Sequence, residues 1–174
     1  WADYTWNGLF TELTNVRDIY TLASKAEYQS NSLMGVSRIL EAYAFSILTD
    51  TYGDIPYTEA NKGKEGIVEP KFDRQKDIYL DLLKKLEEAN TLLTSGTAIP
   101  ASSDPVFNGD VAKWRKLGNS LYLRLLLRLS GKAEVSATVI DKFKEIVNNP
   151  TKYPIMTTNG DTAKLLWTTS ATST

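Results

Sequence analysis

Apolar residues recur along this chain in steps of three and four, the spacing that places side chains on one face of an α-helix. Leu9, Leu13, Val16, Tyr20 and Ala23 follow that rule and predict a first helix from about Gly8 to Gln29. A second is expected to begin at Asn31 or Ser32, either of which suits an N-cap, and to carry Val36, Leu40, Tyr43 and Ile47 as far as Tyr52. The third has the cleanest pattern. Asp73 can cap it, Ile78, Leu82, Leu86, Ala89 and Leu93 hold one face, and Lys84, Lys85, Glu87 and Glu88 hold the other, with Gly96 as the stop.

The stretch TAIPASSDPVFNG follows, in which Pro100 and Pro105 forbid helix and the polar residues suit a surface loop long enough to bind something. Asp110 then caps a fourth helix. Its Trp114, Leu117, Leu121 and Leu125 form one stripe, while Leu123, Leu126, Leu127 and Leu129 nearly surround the cylinder and predict an interior helix packed on both sides. A fifth runs from about Glu134 to Asn148 with Val135, Val139 and Phe143 inward, and the sequence NNP ends it. No segment alternates as a strand should, although KYPIMT at 152–157 suits extended chain. Helices joined by short or medium loops read as antiparallel helical hairpins, the unit of bundles and helical repeats alike. WRKLGNSLY comes close to the tetratricopeptide pattern through Trp114, Leu117 and Gly118, but Tyr122 falls one place late and no repeat period is evident.

At 174 residues the chain fits one domain with its own core. With 20 Lys+Arg against 21 Asp+Glu and no long block of either sign, it lacks the basic stripe that neutralises phosphates, so no nucleic-acid partner is expected. Histidine and cysteine are both absent, which removes the usual general base, the usual zinc ligands and every thiol nucleophile. Any catalysis would rest on carboxylates, hydroxyls, Tyr or Lys.

The most site-like stretch is DTYGDIPYTEA at 50–60. Asp50, Asp54 and Glu59 are candidates for the paired carboxylates of a glycosidase, but spacing alone supplies neither their separation nor their burial. A structural role accounts for more of the same residues. Gly53 can take positive φ past the helix end, Asp54 can turn the chain, Pro56 blocks renewed helix, and Tyr52, Ile55 and Tyr57 can pack back on the hairpin. The EF-hand pattern is missing here and in NGDTAK at 159–164, and KGKEG at 62–66 lacks P-loop spacing. No catalytic residue, metal or cofactor is assigned. Trp1, Tyr4 and Trp6 are candidate ligand-stacking residues, against the alternative that the tryptophans simply anchor the first helix. Arg124 and Arg128, one turn apart, could bind an anionic group, but Arg115, Arg124 and Arg128 are expected rather to pair with carboxylates of neighbouring helices or to snorkel from the fourth.

Three stretches in order, ILEAYAFSILTDTYGDIPYTEA, EPKFDRQKDIYLDLLKKLEEANTLL and NGDVAKWRKLGNSLYLRLLLRLS, resemble the SusD/RagB-like family, in particular its branch described as starch-binding and associating with the outer membrane. The likeness reaches from WNGLFTELTNVRDI to NGDTAKL. It implies an all-α, tetratricopeptide-like scaffold with irregular loops. It also implies a surface lipoprotein of the outer membrane that binds glycan without cleaving it and docks on a SusC-like TonB-dependent transporter. On that resemblance Asp50, Tyr52, Gly53, Asp54, Pro56 and Tyr57 form a structural signature. Family members run to about two or three times this length, above the single-domain norm, and begin with a lipidated Cys. The chain is therefore expected to be one helical domain cut from a longer protein, its lipid anchor lying outside the stretch given. The competing expectation is a tetratricopeptide-like scaffold that binds protein, chiefly the transporter.

Overall fold

The computed structural model describes residues 2–165, all but two short bridges of it helical or irregular. Five α-helices follow one another: α1 (Ala2–Ala23), α2 (Asn31–Tyr52), α3 (Gln75–Thr94), α4 (Val111–Leu129) and α5 (Ser136–Asn148). Each packs chiefly on its neighbours in sequence, and α2 also touches α4. The result is a row of antiparallel hairpins. Between α2 and α3, β1 (Ile55–Pro56) and β2 (Phe72–Asp73) pair antiparallel, Ile55 opposite Asp73 and Pro56 opposite Phe72.

The central helix α2 is built for close approach. Its buried positions include Ser32, Gly35, Ser37, Ala42, Ala44 and Ser46, whose small side chains let α1 and α3 come near, while Ile39, Phe45 and Leu48 supply apolar bulk. From α3, Ile78, Leu82 and Leu86 meet that bulk, and Leu125 and Leu126 of α4 complete the core. α4 is sandwiched between α3 and α5, yet the outer turn of its C-terminal half leaves Leu127 63% exposed. No helix among the described residues is long and apolar enough to cross a membrane.

Boundaries differ from the sequence reading in instructive places. α1 begins and ends six residues before the expected points, because Trp6 and Phe10 extend its inner face toward the N-terminus while Ser24–Tyr28 turn the chain back. α2 is capped by Ser30, whose hydroxyl accepts the Leu33 N–H at 3.3 Å, one or two residues before the expected caps. Asp110 caps α4 as expected, accepting from Lys113 N–H at 3.1 Å. Asp73 does not cap α3. Its carboxylate instead accepts from the Tyr57 N–H at 3.2 Å, the Thr58 N–H at 2.7 Å and the Thr58 hydroxyl at 2.9 Å. Gly96 lies two residues past the last residue of α3 and serves close packing, since a Cβ there would sit 2.6 Å from Ser32 Oγ.

The loop expected on the surface at 97–109 is partly drawn inward. Asp104 is only 4% exposed and accepts from the N–H groups of Val106, Phe107 and Gly109 and from the Trp114 indole at 2.8 Å. Burial alone raises the Asp104 carboxyl, but these four donors outweigh it and hold it below the usual range. After α5 the chain crosses α3 and α4 in extended form. Tyr153 is fully buried there, and the Lys152 and Pro154 carbonyls accept from Asn90, Arg115 and Asn119.

Candidate functional site

The antiparallel order brings the start of α1, the end of α2, the start of α3 and the end of α4 to one end of the row, and DTYGDIPYTEA lies across that end. Gly53 terminates α2 with φ 79° and ψ −121°, its N–H bonding back to Thr49 O at 2.9 Å. Asp54 Oδ1 accepts the Gln75 N–H at 2.8 Å, so the first N–H of α3 is satisfied from 21 residues upstream. Gln75 returns the link by donating to Thr49 O at 2.7 Å. Ile55 and Tyr57 are buried against the α2 and α3 core.

Arg17 of α1 clamps the far side. Its guanidinium donates to Ala60 O at 2.6 Å, Tyr57 O at 3.1 Å and Glu41 Oε1 at 3.0 Å. Glu41 is 3% exposed and also meets Arg38 at 3.0 Å and Lys85 at 3.5 Å. Burial pushes the Glu41 carboxyl up, but Lys85, Arg17 and Arg38 together hold it below the ordinary range. The Tyr57 hydroxyl donates to Asp81 at 2.5 Å, and burial together with that carboxylate raises the phenol well above its usual value.

The three carboxylates of the stretch go to three different partners. Asp50 meets the Arg128 guanidinium at 2.6 Å and accepts from the Tyr79 hydroxyl; Asp54 holds the start of α3; Glu59 accepts the Lys71 N–H at 2.9 Å. The acid–base pair of a glycosidase is not assembled from them. Arg128 thus pairs with a carboxylate of a neighbouring helix, and Arg124 lies over the Tyr43 ring at 5.8 Å. Sequence reasoning missed Arg17, Glu41 and Tyr79: Arg17 reaches Glu41 24 residues on and Ala60 43 residues on, Tyr79 reaches Asp50 29 residues back, and only the Arg38–Glu41 pair, three residues apart, is local.

Trp1 lies outside the described residues. Tyr4 and Trp6 share the first turns of α1, but two residues turn a helix by about 200°, so they stand at opposite edges of it. Trp6 packs inward, edge-on to Tyr52 at 5.0 Å, tilted on Phe10 at 4.8 Å and roughly parallel to the exposed Phe72 at 6.4 Å. Tyr4 is 87% exposed. Between them runs a strip of polar groups, neutral along its middle and with Asp3 and Glu12 at the Tyr4 end. One open groove is lined by Trp6, Asn7, Phe10, Thr11, Thr14, Asn15 and Asn61, and an adjoining one by Asp3, Tyr4, Asn7, Gly8, Thr11 and Glu12. Asn7 and Thr11 are common to both.

Asn61, held in the left-handed region at φ 63°, donates to Phe10 O and Thr14 Oγ1, both at 2.7 Å, and its amide oxygen has no partner among the described residues. The Asn7 side chain and the Trp6 indole N–H have no partner among the described residues. Aromatic faces flanked by neutral amides and hydroxyls are what a sugar ring uses: its C–H face packs on the rings and its hydroxyls bond the polar groups.

A model of the family described as starch-binding and associating with the outer membrane, SusD-like, matches residues 1–174. The chain belongs to the SusD-like family. A SusD homologue from Bacteroides fragilis NCTC 9343 is 28% identical, with a TM-score of 0.75 over 88% of this chain and 32% of its own length. A chitin-binding protein is 33% identical, with a TM-score of 0.78 over 93% of this chain and 33% of its own. An outer-membrane protein from Bacteroides vulgatus ATCC 8482, named for nutrient binding, is 30% identical, with a TM-score of 0.81 over 98% of this chain and 35% of its own. The chain therefore spans about a third of the length of these solved relatives. Among curated proteins, none matches the chain. SusD-like proteins share the helical, tetratricopeptide-like scaffold seen here, and the DTYGDIPYTEA interlock is where this chain ties α1, α2, α3 and α4 together.

Proposed function

We propose that this SusD-like chain is the helical scaffold portion of a longer protein that binds glycan without cleaving it and serves nutrient uptake at the outer membrane. The observation that carries the reading is the strip along α1: exposed Tyr4, partly exposed Trp6 and the neutral amides of Asn7, Asn15 and Asn61, on a chain whose family is described as starch-binding. A glycan lies along the strip with one ring against Tyr4 and another near Trp6 and Phe72. The carboxylates of DTYGDIPYTEA hold the scaffold and take no part in bond cleavage. In the complete protein a lipid anchor attaches it to the membrane surface and a SusC-like TonB-dependent transporter receives the cargo.

The test is titration of the complete protein with soluble starch and with chitin oligosaccharides. Saturable binding weakened about tenfold by Tyr4→Ala, a loss of about 1.4 kcal/mol, supports the strip. Retention of the transporter by a protein that binds no glycan would favour a purely protein-binding scaffold instead.

A further inference from the structure

On the other side of the α2 terminus from Trp6, a pocket of about 530 Å³ opens between the start of α3, the end of α4 and the turn into α5. We propose that it is a second binding site, for a carboxylated sugar of the hexuronic acid kind. The inference is independent of the α1 strip.

Its carboxylates are already committed. Asp50 is held by Arg128 and Tyr79, and Glu134 by Lys76. The Arg128 Nε–H also donates to the Tyr79 oxygen at 3.2 Å, which fixes the guanidinium plane while Nη1 keeps its donors unused among the described residues. Two further groups on the wall lack partners among those residues: the Lys132 ammonium and the Gln75 Oε1 atom, whose amide nitrogen is tied to Thr49 O. With Lys76, Arg128 and Lys132 against Asp50 and Glu134, the lining carries one net positive charge on a chain whose net charge is −1.

Two cationic donors with unused N–H groups suit a carboxylate, where charge-assisted hydrogen bonds are strongest. The amide oxygen of Gln75, a residue of the same lining, suits a hydroxyl, and Leu129 and Val135 give an apolar wall for the C–H face of a ring. The volume falls within the range of small-ligand pockets. A neutral sugar would leave the positive charge unanswered, and a phosphate would leave the apolar wall unused.

The experiment is titration of the complete protein with glucuronate and with glucose, at low and at high salt. Binding of glucuronate at least tenfold tighter than glucose, and weaker as salt rises, is the expected result. Lys132→Glu should cut glucuronate affinity at least tenfold while leaving starch binding unchanged, and Lys132→Arg should retain it. Equal affinity for the two sugars, or glucuronate binding untouched by Lys132→Glu, overturns the proposal. Loss in Lys132→Arg as well would mean that the lysine acts through shape and not charge, which equally overturns it.

Discussion

Gly53→Val isolates the backbone conformation on which the interlock depends. At φ 79° and ψ −121°, Gly53 occupies a region that side-chain-bearing residues rarely enter, yet a Cβ placed there meets nothing within 4 Å. The cost is therefore conformational and not steric contact with neighbours. Strained backbone of this kind costs on the order of 1–3 kcal/mol, and a β-branched side chain belongs at the upper end. If the chain relaxes to avoid the strain, it disturbs the Thr49 Oγ1–Gly53 O bond at 2.6 Å and the Asp54 contact that holds α3. A loss of about 3 kcal/mol lowers the melting temperature of a chain this size by roughly 6–12 °C. Thermal and urea unfolding read this directly, with Gly63→Ala as the control: that position also has open space, but an ordinary φ, and the change should be neutral or slightly stabilising. Unchanged stability in Gly53→Val would refute the strain argument. Glycan affinity lost at full stability would show that the stretch is itself a ligand site.

Glu41→Gln removes the buried charge on which Arg17, Arg38 and Lys85 converge, and should cost about 3 kcal/mol in urea unfolding; Lys71→Ala, at the exposed Glu59 pair, should cost at most about 0.5 kcal/mol. Alkaline pH should weaken the fold in a defined window. Burial and the Asp50 carboxylate push the Tyr79 phenol up to about 12, above its unfolded value of about 10, so its contribution is complete below about pH 10 and is lost as pH rises toward 12. Tyr57 and Tyr122 are raised in the same direction, chiefly by burial. Unfolding midpoints measured from pH 8 to pH 11.5 should fall, and Tyr79→Phe should flatten part of that fall; a flat profile in the parent protein would contradict it.

The helices were legible in the sequence because their apolar stripes are local, repeating every three or four residues. Ile78, Leu82, Leu86, Ala89 and Leu93 all proved buried, and Asp110 capped α4 where expected. What escaped was long-range polar bonding. Asp73 has the residue type and place of a cap, but the Tyr57 and Thr58 N–H groups, brought beside it by β1–β2 pairing, take its carboxylate, while Asp54 satisfies α3. Asp104 turns a polar loop inward through four donors, a geometry that no composition rule signals. At the candidate site, Tyr4 and Trp6 were visible as aromatics; Asn7 and Thr11 became relevant only when the helix phase put them between the two rings, and Asn61 only when the fold carried its loop back to α1.

The most direct measurement is calorimetric titration of the complete protein with soluble starch and chitin oligosaccharides, comparing the parent with Tyr4→Ala while the solution is monitored for released reducing ends. At 87% exposure, Tyr4 can be truncated with little effect on folding, so lost affinity reports on the ligand. A non-enzymatic glycan-binding protein with its site on α1 gives saturable binding to at least one glycan, about tenfold weaker in Tyr4→Ala, and no released product. No binding to either glycan, equal binding by the two proteins, or steady product release would contradict it.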